Sequence, residues 1–367
     1  MAPTISRKQT SKTIYDYCEE GKNLILETII NKSNPKVSEI DITKAYDASK
    51  MQLRSYVTLD SDHIKDIREI LNKILFYSRD DTQRRPLNFL MSAEPGSGKS
   101  HFVKCIAEKL RNRSVRSVTY NMATFQKPED FIQPIEAVRN LKIQDKLPVL
   151  FIDEFDSDEK NFPFLLPLLW DGEIQLTNRD LKLGKIVIIL AASKNEINKV
   201  IADSKKMEKS SNEEKSTSKL KDLLSRINGG DFDIPKLDLV KGSRDRRVDK
   251  VCMSISLLEQ RFGMALLRVP WAFLKFIAIT EFRYGVRSIT QLIDLIPYPE
   301  DLNDSITVED LKLPLSSVTA LRKSSLSYHL ISSDVDEGID GIIKEWNKLK
   351  TNKTLVRFAT SDEDFPF

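Results

Sequence analysis

Short apolar runs alternate with amphipathic stretches through the middle of the chain. Leu87 to Ser92, Ser117 to Tyr120, Pro148 to Ile152 and Lys185 to Ala192 read as strands, and Asp231 to Pro235 as a shorter one. Several of these runs are continuously apolar, the pattern of strands buried on both faces of a parallel sheet. Between them fall helical patterns at Asp60 to Tyr77, Lys99 to Arg111, Pro128 to Asn140, Phe162 to Trp170 and Leu220 to Ile227. In the first of these, Ile64, Ile67, Ile70, Leu71, Ile74 and Leu75 share one face, and Asp60 or Ser61 can cap the start. Residues 173–184 read as a hairpin. Residues 248–297 read as helix throughout, in three pieces: Val248 to Phe262, Pro270 to Phe282 and Arg287 to Ile296. The stretch 202–219 is polar, charged and without period, a surface-loop pattern. The expected class is α/β, a parallel sheet flanked by helices, with a smaller all-helical domain after it. The expected division is 1–55 as an N-terminal extension, 56–240 as the α/β domain, 241–300 as the helical domain, and 301–367 as a C-terminal extension with an acidic tail.

Composition narrows the partners. The 367 residues suggest about two domains. Net charge is only +3, with 57 basic and 54 acidic side chains, so bulk charge argues for neither nucleic acid nor a membrane surface. No apolar run approaches the ~18 residues needed to span a bilayer, and the first thirty residues lack a signal-peptide apolar stretch. Cys18, Cys105 and Cys252 lie far apart, which excludes a disulfide framework and a cysteine zinc site. His63, His101 and His329 are isolated. A reduced, cytoplasmic setting is the expectation.

The chemistry concentrates at Glu94-Pro95-Gly96-Ser97-Gly98-Lys99-Ser100, followed by His101. This stretch follows a strand and opens a helix, the context of a phosphate-binding P-loop. Gly96 and Gly98 permit a tight loop whose amides turn inward, and the helix contributes its positive end. Lys99 supplies a point charge for the β and γ phosphates, and the Ser100 hydroxyl can ligate Mg²⁺. Ala93 stands where the full pattern has its first glycine. Further on, Val149-Leu-Phe-Ile-Asp153-Glu154 places two acids directly after a buried strand. Carboxylates there need partners. Asp153 can hold Mg²⁺ through water, and Glu154 can polarise the water that attacks the γ phosphate. Asp156 reads as a structural or helix-capping acid.

With both pieces in place, residues 55–300 resemble an AAA+ ATPase. The resemblance implies a P-loop NTPase core with a helical lid, ATP and Mg²⁺ as cofactors, and ATP hydrolysis coupled to motion that remodels or switches a partner macromolecule. It also implies a ring or open arc of about six copies. Ala192-Ser193-Lys194-Asn195 ends a strand where the family keeps a polar sensor, which favours Asn195, with Ser193 as the alternative. Asp222-Leu-Leu-Ser-Arg226 resembles the segment whose arginine reaches the neighbouring subunit's γ phosphate. Leu220 stands where some members carry a second Arg, and Arg261 is a rival. Tyr284-Gly-Val-Arg287 resembles the start of the lid helix, where Arg287 would touch the γ phosphate of its own subunit. The hairpin at 173–184 is similar to the pre-sensor hairpin of the MoxR-like and enhancer-binding branch. The segment 117–147 has neither a sigma-factor-contacting Gly-Ala-Phe-Thr-Gly-Ala loop nor a clear pore loop, and Phe125 and Phe131 read as core. The cluster Lys241 to Lys250 reads as a hinge laced with internal ion pairs. Two other readings stay open: an ATP-dependent assembly switch with slow hydrolysis that recruits an effector protein, and a DNA-acting loader or regulator.

Overall fold

The computed structural model describes residues 12–176, 179–192, 221–263, 266–282, 284–294, 296, 298, 304–311 and 338–359. The chain divides into two compact units that interleave along the sequence. One comprises Lys65–Leu237 and Phe282–Ser288; the other comprises Met1–Ile64, Asp238–Glu281 and Ile289–Phe367.

The first unit is the α/β one. Its elements are β1 (Leu87–Ala93), α1 (Lys99–Lys109), β2 (Val115–Asn121), α2 (Ile132–Ile143), β3 (Leu147–Asp153), α3 (Phe162–Asp171), β4 (Glu173–Leu176), β5 (Arg179–Lys182), β6 (Val187–Ala192) and β7 (Gly230–Ile234). Five strands form a sheet in the order β2-β3-β6-β1-β7, with every pair parallel. Val149 to Ile152 and Val187 to Ala192 are fully buried, as central parallel strands covered on both faces must be. The edge strand β2 is only partly buried. The register Leu87↔Val187, Asn121↔Asp153 and Ala93↔Ile234 brings the carboxyl ends of the strands to one edge of the sheet. In an open α/β sheet that edge carries the ligand crevice.

Helix α3 forms despite two prolines. Pro163 falls in its first turn, where no intrahelical donor is lost, and Pro167 lies inside. Gly172, with φ +64°, ends the helix and donates to Leu168 O. Strands β4 and β5 then pair antiparallel, giving the expected hairpin. Phe131 is fully buried and Phe125 packs against the same core, with its ring 4.8 Å from Phe164. Both are core residues, as expected.

The second unit contains helices Ile14–Ile25, Thr43–Lys50, Arg247–Phe262 and Trp271–Ile279. The first runs on as one π-helical turn, Leu26–Ile30. Trp271 Nε1 donates to Thr28 O at 3.0 Å, and Lys275 Nζ donates to Ile30 O, so carbonyls at that irregular end find side-chain partners. The reading of 248–297 as helix throughout needs one correction. Arg268–Pro270 is a strand, antiparallel to Leu355–Arg357, which in turn pairs parallel with Glu39–Asp41. Three-residue strands are too short to show a period, and their partners lie far away in sequence.

The 241–250 cluster is an ion-pair lattice. Residues Val240–Lys241 and Arg244–Asp245 form a small antiparallel hairpin. Arg244 Nε lies 2.6 Å from Asp60, Arg246 Nε lies 2.7 Å from Asp249, Arg247 pairs with Asp245, and Lys250 with Asp238. Arg246, Asp249 and Lys250 are buried. The stretch 202–219 lies outside the described residues.

Candidate phosphate-binding site

Strand β1 delivers the loop to the carboxyl edge of the sheet. Ala93 is its last residue, fully buried and paired with Ile234 in extended backbone, where a Cβ is tolerated. That explains how the chain does without a glycine there. Glu94 pairs with Lys236 just beyond β7, at 2.7 Å, and its carbonyl accepts from Ser97 N at 3.2 Å, closing a turn. Pro95 is exposed on that turn.

Gly96 and Gly98 both require their glycine. Gly96 has φ +77°, and a Cβ there would come within 2.9 Å of the Tyr284 carbonyl carbon and closer still to its oxygen. Gly98 has φ +87°, yet a Cβ there would meet nothing within 4 Å, so the space before it is open. Helix α1 starts immediately after, with Phe102 N donating to Gly98 O. The Ser97 hydroxyl is buried without a partner among the described residues. A glycine turn open to its surroundings at a helix N-terminus, with an orphaned hydroxyl on the same turn, fits a bound phosphate group.

Lys99 Nζ lies 3.2 Å from Asp153 Oδ1, with both side chains less than a fifth exposed. The strand–loop–helix turn and the end of β3 therefore face each other. Glu154 follows in a left-handed conformation, φ +53°. For a non-glycine residue this costs on the order of 1 kcal/mol or more and needs surrounding support. That support is present: Ser157 N donates to Glu154 O, Phe155 N to Ala191 O, and Glu154 N to Asp153 Oδ1. The fully buried Phe155 anchors the turn, leaving Glu154 exposed. Ser100 is exposed at the second position of α1, while His101 sits 3.5 Å from Cys105 one turn on. Among the described residues no cluster of three or more His, Cys, Asp or Glu could hold a metal ion. Ser100 and Asp153 suit a metal that takes its remaining ligands from phosphate oxygens and water.

The segment Phe282–Ser288 reaches this loop. Val286 N donates to Gly96 O at 3.1 Å, and Tyr284 N donates to the Ser288 hydroxyl. Arg287, the second residue of the helix Val286–Asp294, is thereby held near the loop and is exposed. Arg226 is not brought to the loop of its own chain. Its Nη1 donates to Leu166 O at 2.6 Å, its Nη2 lies 3.2 Å from Asp222, and its guanidinium is 5.9 Å from the Trp170 ring. Arg261 lies in the other unit, held by Asp294 and the carbonyl of Ile296. Asn195 and Ser193 lie outside the described residues. Sequence reasoning missed Lys236 and Asn88, of which only Asn88 carried a signal, a polar residue inside an apolar strand. It placed Tyr284 in the motif before Arg287 but not its backbone against Gly96.

Comparison with known proteins follows this geometry. A family model described as "ATPase family associated with various cellular activities (AAA)" matches residues 89–210. The matched stretch, about a third of the chain, begins within β1 and takes in the phosphate loop, the acidic pair and β6, and the parallel sheet has the AAA+ P-loop fold. No curated protein matches the chain in sequence. Among solved structures, the S. cerevisiae Hsp104-ADP complex is similar at 18% identity and a TM-score of 0.44. The match covers 68% of this chain, which spans less than half of that one, 46%. No helix among the described residues is long and apolar enough to cross a membrane.

Proposed function

We propose that the chain hydrolyses ATP, with Mg²⁺, in a homo-oligomeric ring or arc, and that turnover drives the remodelling or switching of a partner macromolecule. The observation that carries this is the pairing of Lys99 with Asp153, which sets the end of β3 against the glycine loop. The loop amides and Lys99 hold the β and γ phosphates of ATP. Magnesium, when bound by Ser100 and Asp153, supplies neutralisation of phosphate charge. Glu154 accepts a proton from the attacking water, and its strained turn fixes the carboxylate before substrate arrives. Arg287, held beside Gly96, responds to the γ phosphate of its own subunit. Arg226 serves the neighbouring subunit, a role supported by its attachment to α3 rather than to its own loop. The β4–β5 hairpin supports placement in the MoxR-like, enhancer-binding branch, and Asn195 is the proposed sensor of that arrangement. Preference for ATP, a cytoplasmic location and a protein partner belong to the same proposal.

Calorimetry with Mg-ATP and phosphate-release assays test it. Lys99→Ala should abolish binding. Glu154→Gln should keep binding and reduce turnover by about 10²-fold or more. Absence of any heat with adenine or guanine nucleotides, or full turnover by Glu154→Gln, would overturn the proposal.

A further inference from the structure

The strand that ends in the phosphate loop carries one buried polar side chain. Asn88 is fully buried between Leu87 and Phe89 in β1. Its Nδ2 donates to two carbonyls, Leu169 O at 2.7 Å and Arg226 O at 2.8 Å. Its backbone holds the same neighbour segment: Asn88 N donates to Asn228 Oδ1 at 2.7 Å, and Asn88 O accepts from Gly229 N at 2.7 Å. Asn228 Nδ2 reaches back to Pro86 O at 3.0 Å. The approach is so close that a Cβ on Gly229 would sit 2.8 Å from Asn88 O and 2.9 Å from the Phe89 ring.

This buried amide is costly. Its Oδ1 has no partner among the described residues, and leaving such an acceptor unsatisfied costs about 1–3 kcal/mol. An apolar side chain would remove that orphaned acceptor but leave the Leu169 and Arg226 carbonyls without this donor. What the amide provides is a fixed position for Arg226. The arginine's main-chain carbonyl is bound to β1 through Asn88, and its guanidinium is bound to α3 through Leu166 O. Helix α3 is itself bound to Asn88 through Leu169 O. The three elements form a closed loop of hydrogen bonds, with Asn88 as its corner.

We propose that Asn88 is a positioning residue that sets the placement of Arg226 from the strand carrying the chain's own phosphate loop. The inference rests on the reading of Arg226 as the arginine offered to the neighbouring subunit. Asn88 touches no substrate. It ties the arginine one subunit presents to the strand that feels that subunit's own nucleotide.

The test uses the full chain with Asn88→Leu and Asn88→Asp. The first removes both donors at similar volume; the second keeps the shape and turns acceptors toward two carbonyls. A residue acting through Arg226 should leave nucleotide affinity at its own loop within about twofold while lowering kcat about 10- to 100-fold. That lost turnover should return in part when the variant is mixed with Lys99→Ala subunits, which cannot bind ATP but present an intact Arg226. A merely structural role would not give recovery in trans. Unchanged kcat in a folded variant, a loss that mixing does not relieve, or unfolding of both variants at room temperature by circular dichroism would each overturn the proposal. Arg226→Ala, tested in the same mixtures, separates the two ideas. If it retains full turnover, the trans reading of Arg226 fails. If it loses turnover and recovers on mixing while the Asn88 variants stay active, only the assignment of Asn88 fails.

Discussion

Gly96 lies against the Tyr284 carbonyl, so its lack of a side chain is a packing requirement as well as a conformational one. Gly96→Ala should therefore weaken Mg-ATP binding by at least about tenfold, read by calorimetry, because the loop must open to admit the methyl. His63 gives a second prediction. It is fully buried, its Nε2 lies 2.9 Å from the Tyr56 hydroxyl, and its backbone N–H points to Asp60. Burial first, and then the nearby Arg246 and Arg244, hold its pKa well below the ordinary 6.5. The unfolded chain takes up this proton near pH 6.5 and the native one does not. The stabilising contribution is thus complete above pH 6.5 and is lost as pH falls below it, at about 1.4 kcal/mol per pH unit. The drop in Tm from pH 7.5 to 5.5 should be smaller in His63→Phe than in the parent. An equal drop in both would remove His63 from the acid response.

At the scale of elements, the start of the Arg247–Phe262 helix is fastened by charge. Asp249 accepts from Arg246 Nε, Thr58 Oγ1 and Leu59 N. Burial pushes its carboxyl pKa upward, and the adjacent Arg246 opposes that. Asp249→Ala would leave Arg246, 2% exposed, with Asp60 at 3.6 Å. The expected loss is about 3–5 kcal/mol by urea denaturation, the cost of removing one partner of a buried ion pair. The cluster's internal pairing was legible from its alternating signs, but Asp60 and Thr58 as partners were not, since they lie almost two hundred residues earlier. The same contrast runs through the sheet. Strands β3 and β6 could be read because burial on both faces leaves an unbroken apolar run. Arg268–Pro270 could not, because three residues carry no period and its pairing is non-local. At the candidate site, the strand–loop–helix placement of 94–100 was legible because glycines and a lysine at fixed spacing mark such a turn. The bonds from Asn88 to the Leu169 and Arg226 carbonyls, and the contact of Tyr284 with Gly96, were not, because each joins residues far apart in sequence.

At the scale of the molecule, the N-terminal segment shares a compact unit with Asp238–Glu281 and Ile289–Phe367. Cys18, Ile25, Ile29 and Tyr46 are fully buried in it, and Tyr46 donates to Glu259 at 2.6 Å. Burial pushes the Cys18 thiol up to about 11, so it is protonated and unreactive at neutral pH. Deletion of residues 1–55 should therefore destabilise the helices Arg247–Phe262 and Trp271–Ile279, seen as loss of amide-exchange protection there. Unchanged protection in the truncated chain would show the segment to be dispensable.

The sheet order also has a consequence for biosynthesis. Strand β1 pairs with β6, where Leu87 meets Val187, and with β7, where Phe89 meets Gly230. A chain emerging from the ribosome carries β1 with both edges bare until much later segments arrive. Such unpaired apolar edges invite association between nascent chains. The strand that leads into the phosphate loop is thus among the last to acquire both its neighbours, and arrested fragments ending before β7 should be captured by chaperones or aggregate.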